Sequence, residues 1–186
     1  MEHELTPDNI AALARRIDRP VVLVGMMGVG KTSVGRRLAA TLHFTFTDAD
    51  DEIVHAAQMS IPEIFEQYGE AYFRDGERRV IARLVGQGCG VISTGGGAFV
   101  NPETRALILE KGIAVWLDTD IDVLLERVGR NSNRPLLKTG NPRETLTRLK
   151  AEREAAYAKA PIHVKSGPGP HGRAVNAVLK GIEAWL

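Results

Sequence analysis

The stretch VVLVGMMGVGKTSVGRR, residues 21–37, decides the fold. Four branched apolar residues, Val21 to Val24, have no polar alternation, as expected of a strand covered on both faces. Gly25-Met26-Met27-Gly28-Val29-Gly30-Lys31-Thr32 then fits the pattern G-x-x-x-x-G-K-[ST], and Lys31 to Leu42 continues with helical character. A buried strand leading in and a helix leading out are the context this phosphate-binding loop requires. Its glycines let backbone N–H groups turn inward around phosphate oxygens, and the helix N-terminus adds its positive dipole end. Lys31 is placed to reach the β and γ phosphates of a nucleotide, and the Thr32 hydroxyl to ligate Mg²⁺. The loop says little about what receives the phosphoryl group.

Outward from this loop, short apolar runs alternate with helical periodicity, the pattern of a parallel α/β sheet. Strands are expected at 44–50 (FTFTDAD), 90–94 (GVIST), 113–118 (IAVWLD) and near IHV at 162–164. Thr6-Pro7 opens an N-terminal helix ended by Pro20, and Ser60 with Glu63 forms a capping box. Gly69 breaks the helical stretch that follows, and Asn101-Pro102 caps another helix. Further helices are expected from about Thr119 to Val128, through Arg153 and Tyr157, and from about Gly172. The expected architecture is a three-layer α/β/α domain with a five-stranded parallel sheet. It spans 1–186, with a core at 20–186, an extension at 1–19 and a polar lid at about 129–142.

The bulk properties set limits. A chain of 186 residues with 44% hydrophobic and 25% charged residues suits one globular domain. A formal net charge of +1 provides no field that would draw the protein to nucleic acid or an anionic membrane. The one cysteine, Cys89, cannot form an internal disulfide and is expected as a small buried apolar residue in a reducing compartment. No apolar run approaches the ~20 residues that span a bilayer, and the N-terminus is not a secretory signal. A cytoplasmic monomer is expected.

Ligands of an open parallel sheet sit beyond the carboxyl ends of the strands. Asp48, Asp50, Gly95-Gly96-Gly97 and Asp118 all fall there. Asp48 and Asp50 are two apart, so in an extended segment they face one side. One could hold Mg²⁺ through water while the other takes a hydroxyl proton. Helix capping by DADDEI is the plainer alternative. Asp118 ends a strand that also looks like a Mg²⁺ site, and position alone does not separate it from Asp48. Three glycines point to close backbone approach, since one suffices for a turn. Arg74, Arg127, Arg134 and Arg153 can fork a carboxylate or phosphate bidentately, and Arg134 lies in a loop able to close over phosphates. Arg143 and Arg148 are expected to be solvated decoration. No N-K-x-D guanine reader and no L-S-G-G-Q motif occurs. What is left is a small-molecule kinase or an ATPase of another type. The aspartates and arginines point to a kinase whose acceptor bears hydroxyls and a negative charge. A nucleotide-binding module with little transfer activity is the alternative from another class.

In order and spacing, GMMGVGKTSVGRRLA, FTDAD, SIPEIFEQYGEAYFRDGE, TGGGA, VWLD, RPLL and the later ER before a tyrosine resemble the shikimate kinases, over Val21 to about Tyr157. The resemblance implies a phosphate-loop kinase fold similar to nucleoside monophosphate kinases. It implies transfer of the γ-phosphoryl of ATP to the 3-hydroxyl of shikimate, a step of chorismate and aromatic amino acid biosynthesis, with Mg²⁺. Asp50 matches the base that holds that hydroxyl, and Asp48 the aspartate bound to Mg²⁺ through water beside Thr32. Gly28, Val29, Gly30, Lys31, Thr32 and Ser33 match the ATP loop. Arg127 matches the arginine stacked on adenine, and Arg134 the lid arginine, catalytic together with Lys31 and Asp50. Arg74 and Arg153 match the carboxylate grip, Glu77 the acid orienting Arg74, Gly95, Gly96 and Gly97 the closing glycines, and Phe65 and Phe73 the pocket walls, in a shikimate-binding subregion at about 50–86. Asp118 has no Mg²⁺ role in that family. REAAYAKA (153–160) lacks the family's usual proline before the tyrosine and acid after it. KSGPGPHGR (165–173) aligns only loosely, which leaves adenine contacts there unassigned. A gluconate or nucleoside monophosphate kinase is the nearest alternative.

Overall fold

Five parallel strands form one sheet in the order β2-β3-β1-β4-β5. The computed structural model describes residues 5–130 and 140–186. The strands are β1 (Val21–Val24), β2 (Phe46–Asp48), β3 (Val91–Ser93), β4 (Ile113–Asp118) and β5 (Ile162–Lys165). Val21 pairs with Val91 on one side and Ile113 on the other, so β1 lies at the centre. Every residue of β1, β3 and β4 is buried, which is why these strands read as continuous apolar runs.

The flanking helices are α1 (Pro7–Arg16), α2 (Lys31–Leu42), α3 (Ala49–Ala57), α4 (Ile61–Val85), α5 (Pro102–Lys111), α6 (Ile121–Gly129), α7 (Pro142–Tyr157) and α8 (His171–Trp185). Their ends follow the caps in the sequence. The Thr6 hydroxyl accepts from Asn9 N–H, the Ser60–Glu63 box forms in both directions, and Asn101 Oδ1 accepts from Glu103 and Thr104 N–H. Gly69 interrupts α4 at φ 81°, ψ 174°, the break its position predicted.

Two expectations need correction. The second strand is only 46–48, because the Asp48 carboxylate accepts from Asp50 N–H and starts α3 there. Asp48 and Asp50 therefore share a side through a strand-to-helix turn, and not through strand alternation. Cys89 is exposed, its thiol donating to Ile17 O at 3.2 Å. The helix expected in the extension forms and joins the core: Leu13 and Ile17 are buried, and α1 packs on α2. No described helix is long and apolar enough to cross a membrane.

Candidate active site

The chain leaves β1 to one side of the sheet and later returns to the other. The carboxyl ends of β1 and its neighbours therefore face a crevice at the switch point. Two cavities occupy it. The first, about 700 Å³, is lined by Gly28, Gly30, Lys31, Thr32 and Ser33 of the glycine loop, and by Asp48 and Asp50. Lys31 Nζ donates to Gly25 O at 2.7 Å and to Met26 O at 2.8 Å, which folds the ammonium back over its own loop. Thr32 Oγ1 donates to Asp48 Oδ2 at 2.8 Å. Val29 contributes backbone, its carbonyl accepting from Arg127 Nη1 at 2.8 Å, while Arg127 Nη2 donates to Gly167 O at 3.2 Å. These two bonds anchor the Arg127 guanidinium in the lining of the first cavity.

The second cavity, about 480 Å³, is lined by Asp50, Phe65, Phe73, Arg74, Glu77, Gly95, Gly96, Gly97 and Arg153 among others. Met27, Asp50, Gly95 and Gly96 line both, so the two cavities adjoin and Asp50 belongs to each. Phe65 and Phe73 meet with ring centroids 4.7 Å apart and form an apolar wall. Arg74 Nη1 donates to Glu77 Oε1 at 2.8 Å. Glu77 Oε2 is buried without a hydrogen-bond partner among the described residues. A Cβ on Gly95 would lie 2.9 Å from Asp50 Oδ1 and 3.1 Å from Glu77 Oε2, and one on Gly97 would strike the Arg74 guanidinium. At both glycines a side chain packs against bare backbone and would have to move for a Cβ.

Burial dominates the electrostatics of both carboxyls, Asp50 and Glu77. Burial first, then the Asp48 carboxylate, push the Asp50 carboxyl above its ordinary value, against the pull of Lys31 and Arg74. Burial likewise raises Glu77, with Arg74 opposing it. A cavity with a base of raised basicity, a paired guanidinium and an apolar wall suits a small hydroxylated anion.

A sequence model of the family described as shikimate kinase matches residues 27–183. The chain belongs to the shikimate kinase family. A shikimate kinase of Novosphingobium aromaticivorans is 65% identical over an alignment of 193 positions, gaps included, covering 100% of both chains. Among solved structures, a shikimate kinase from Acinetobacter baumannii in complex with shikimate superposes with a TM-score of 0.86 at 36% identity. It covers 89% of this chain and 93% of that one. A gluconokinase from Sinorhizobium meliloti reaches a TM-score of 0.59 at 16% identity, covering 90% of this chain and 93% of that one, and shares the fold alone.

Within this shikimate kinase scaffold, Asp118 resolves in a way its position could not. It does not line the nucleotide-loop cavity. Its carboxylate meets Lys150 at 3.1 Å, His163 at 3.5 Å and Lys165 at 3.9 Å, so it ties α7 and β5 to β4. Arg134 lies outside the described residues, as does most of the expected lid. Arg143 pairs with Asp122 at the surface, as expected of decoration. Arg148 does not conform to that expectation, because it lines the second cavity.

Other residues, which the sequence did not single out as site residues, line or brace the site. The Tyr157 hydroxyl donates to Gly96 O, pinning the triple glycine from α7. Burial raises the Tyr157 phenol, with Arg153 opposing, which keeps the donor protonated. Pro168, Gly169 and His171 line the first cavity, within the segment that aligned loosely. Burial, then Arg127 and Arg37, hold the His171 imidazole below its ordinary value. A tyrosine at the expected end of a helix, or a histidine after Gly-Pro-Gly-Pro, carries no spacing that would mark either as a site residue.

Proposed function

We infer that this chain catalyses transfer of the γ-phosphoryl of ATP to the 3-hydroxyl of shikimate, giving shikimate 3-phosphate and ADP. The observation that carries this reading is the meeting of the two cavities at Asp50. ATP would lie along the glycine loop, with Gly28, Val29, Gly30 and Ser33 offering backbone and hydroxyl donors to its phosphates. Lys31 would exchange its loop carbonyls for β and γ phosphate oxygens. Arg127 would cover the base, and Arg134 would close over the phosphates.

Arg74 and Arg153 would grip the acceptor carboxylate, supported by the Glu77 carboxylate that holds the Arg74 fork in plane. Phe65 and Phe73 would pack on the ring, and Gly95, Gly96 and Gly97 would let it approach the backbone. The 3-hydroxyl then lies against Asp50. Its proton passes to the Asp50 carboxylate as its oxygen forms the new bond to the γ phosphorus. The bond from that phosphorus to the β-phosphate oxygen breaks, and ADP leaves.

The oxygen donors Thr32 Oγ1 and Asp48 Oδ2, 2.8 Å apart beside the loop, fit Mg²⁺. Mg²⁺ takes one or two protein oxygens together with waters and phosphate oxygens, and needs no all-protein cage. Thr32 would bind it directly and Asp48 through water. When bound, it neutralises charge on the β and γ phosphates. We further propose a single-domain, cytoplasmic monomer that acts without nucleic acid, in keeping with one continuous sheet and a formal net charge of +1.

An ADP-release assay with Mg-ATP tests the reading across shikimate, gluconate and AMP. Stimulation by shikimate alone supports it. Equal or greater stimulation by gluconate or AMP, or none by any acceptor, overturns it.

A further inference from the structure

The second cavity holds one more guanidinium than the carboxylate grip uses. Its charged lining is Asp50, Glu70 and Glu77 against Arg74, Arg148 and Arg153. With Arg148 the formal charges balance; without it, an anionic acceptor would enter a cavity lined by three carboxylates and two arginines. Arg74 and Glu77 are turned inward, their side chains 23% and 2% exposed, whereas the Arg148 side chain is 62% exposed. Arg148 is therefore the cation at the rim. Along α7 it precedes Arg153 by five residues, about 7.5 Å at the helical rise.

The restraint on Arg148 is slight. Its Nη1 reaches the Glu152 carboxylate at 3.2 and 3.5 Å, an exposed pair one helical turn apart. Such pairs contribute little, and the side chain leaves them readily. Glu70, 68% exposed on the opposite helix and 3.6 Å from Arg74, is the rim acid that Arg148 offsets. Rim charges of this kind act mainly on the rate of encounter and on its salt dependence.

We propose that Arg148 is a specificity-determining rim residue. Its charge draws the acceptor's carboxylate into the cavity and delivers it to Arg74 and Arg153, which favours anionic over uncharged polyols. The proposal rests on the shikimate kinase reading and concerns recruitment, so it separates KM from kcat.

The test is steady-state kinetics of the full chain with Mg-ATP and shikimate at low and high ionic strength, for wild type, Arg148→Gln, Arg148→Lys and Arg143→Gln. Arg148→Gln is expected to raise the shikimate KM about threefold to tenfold at low salt, with kcat and the ATP KM unchanged, and the gap is expected to close as salt rises. Arg148→Lys should restore most of the loss, because steering needs charge and not a fork. Arg143→Gln, with the same change in net charge outside the cavity, should have no effect. An unchanged KM for Arg148→Gln, or a rise that high salt does not diminish, overturns the proposal while leaving the activity intact. Wild type that does not turn over shikimate overturns the activity reading and this proposal with it.

Discussion

Thr32 Oγ1 lies 2.8 Å from Asp48 Oδ2, and the other oxygen of the same carboxylate caps α3. One side chain therefore joins the nucleotide loop to the helix that carries Asp50. Under the proposed mechanism Asp48 would have two separable duties. Asp48→Ala should lose the cap, about 0.5–2 kcal/mol of stability, and should also raise the Mg²⁺ concentration for half-maximal activity. Asn caps as well as Asp, so Asp48→Asn should keep the melting temperature and show only the Mg²⁺ effect. Thermal melts beside Mg²⁺ titrations separate the two. Equal destabilisation by both variants would contradict this account.

Arg74 would grip the acceptor carboxylate through a planar fork whose Nη1 is already held by Glu77 at 2.8 Å. Lysine keeps the charge and loses the fork. Charge-assisted bonds are worth roughly 1.5–3 kcal/mol, so Arg74→Lys should raise the shikimate KM on the order of tenfold to a hundredfold. The ATP KM should change little. An unchanged shikimate KM would count against the grip.

Gly97 has an ordinary backbone, with φ of –93°, so alanine strains nothing there. Its Cβ would nevertheless occupy the place of the Arg74 guanidinium, the mobile end of a long side chain. Gly97→Ala should displace Arg74 at little cost in stability and raise the shikimate KM. Melting and kinetics measured on one preparation check both halves, and a large loss of melting temperature with an unaltered KM would refute the packing argument.

Glu77 supplies a pH dependence. Burial raises its folded-state affinity for a proton above that of the unfolded chain, despite Arg74. Between the two pKa values the native state binds more protons, so the contribution of Glu77 to stability falls as pH rises through that window. Gln keeps the acceptor for Arg74 and does not ionise. The stability of Glu77→Gln relative to wild type should therefore grow as pH rises from the ordinary glutamate range, then level off. Melts over a pH series would show the opposite slope if Arg74 outweighed burial.

What the sequence made legible, and what it did not, follows from physical range. The β1–α2 loop was legible because glycines, Lys31 and Thr32 act within a dozen residues of one another. The capping box at Ser60 and the break at Gly69 are equally local. The end of β2 was misjudged because an aspartate that ends a strand and one that caps a helix look alike until Asp48 is seen bonding Asp50 N–H. Asp118 became separable from Asp48 only once β5 and α7 brought Lys150, His163 and Lys165 to it. Arg148 and Arg143 looked the same in sequence, since neither periodicity nor composition says which arginine of α7 borders a cavity built mostly by α4 and the β3 loop. Tyr157 and Gly96 meet across 61 residues, beyond any local pattern.

The central claim is that Asp50, where the two cavities meet, takes the acceptor's proton. Asp50→Asn keeps the shape and one acceptor oxygen but removes the base. Single-turnover phosphoryl transfer with saturating Mg-ATP and shikimate, with binding of both measured independently, tests it most directly. The account predicts a fall in the transfer rate of about 10²- to 10⁴-fold with both ligands still bound. Transfer at a near-normal rate by Asp50→Asn would contradict it.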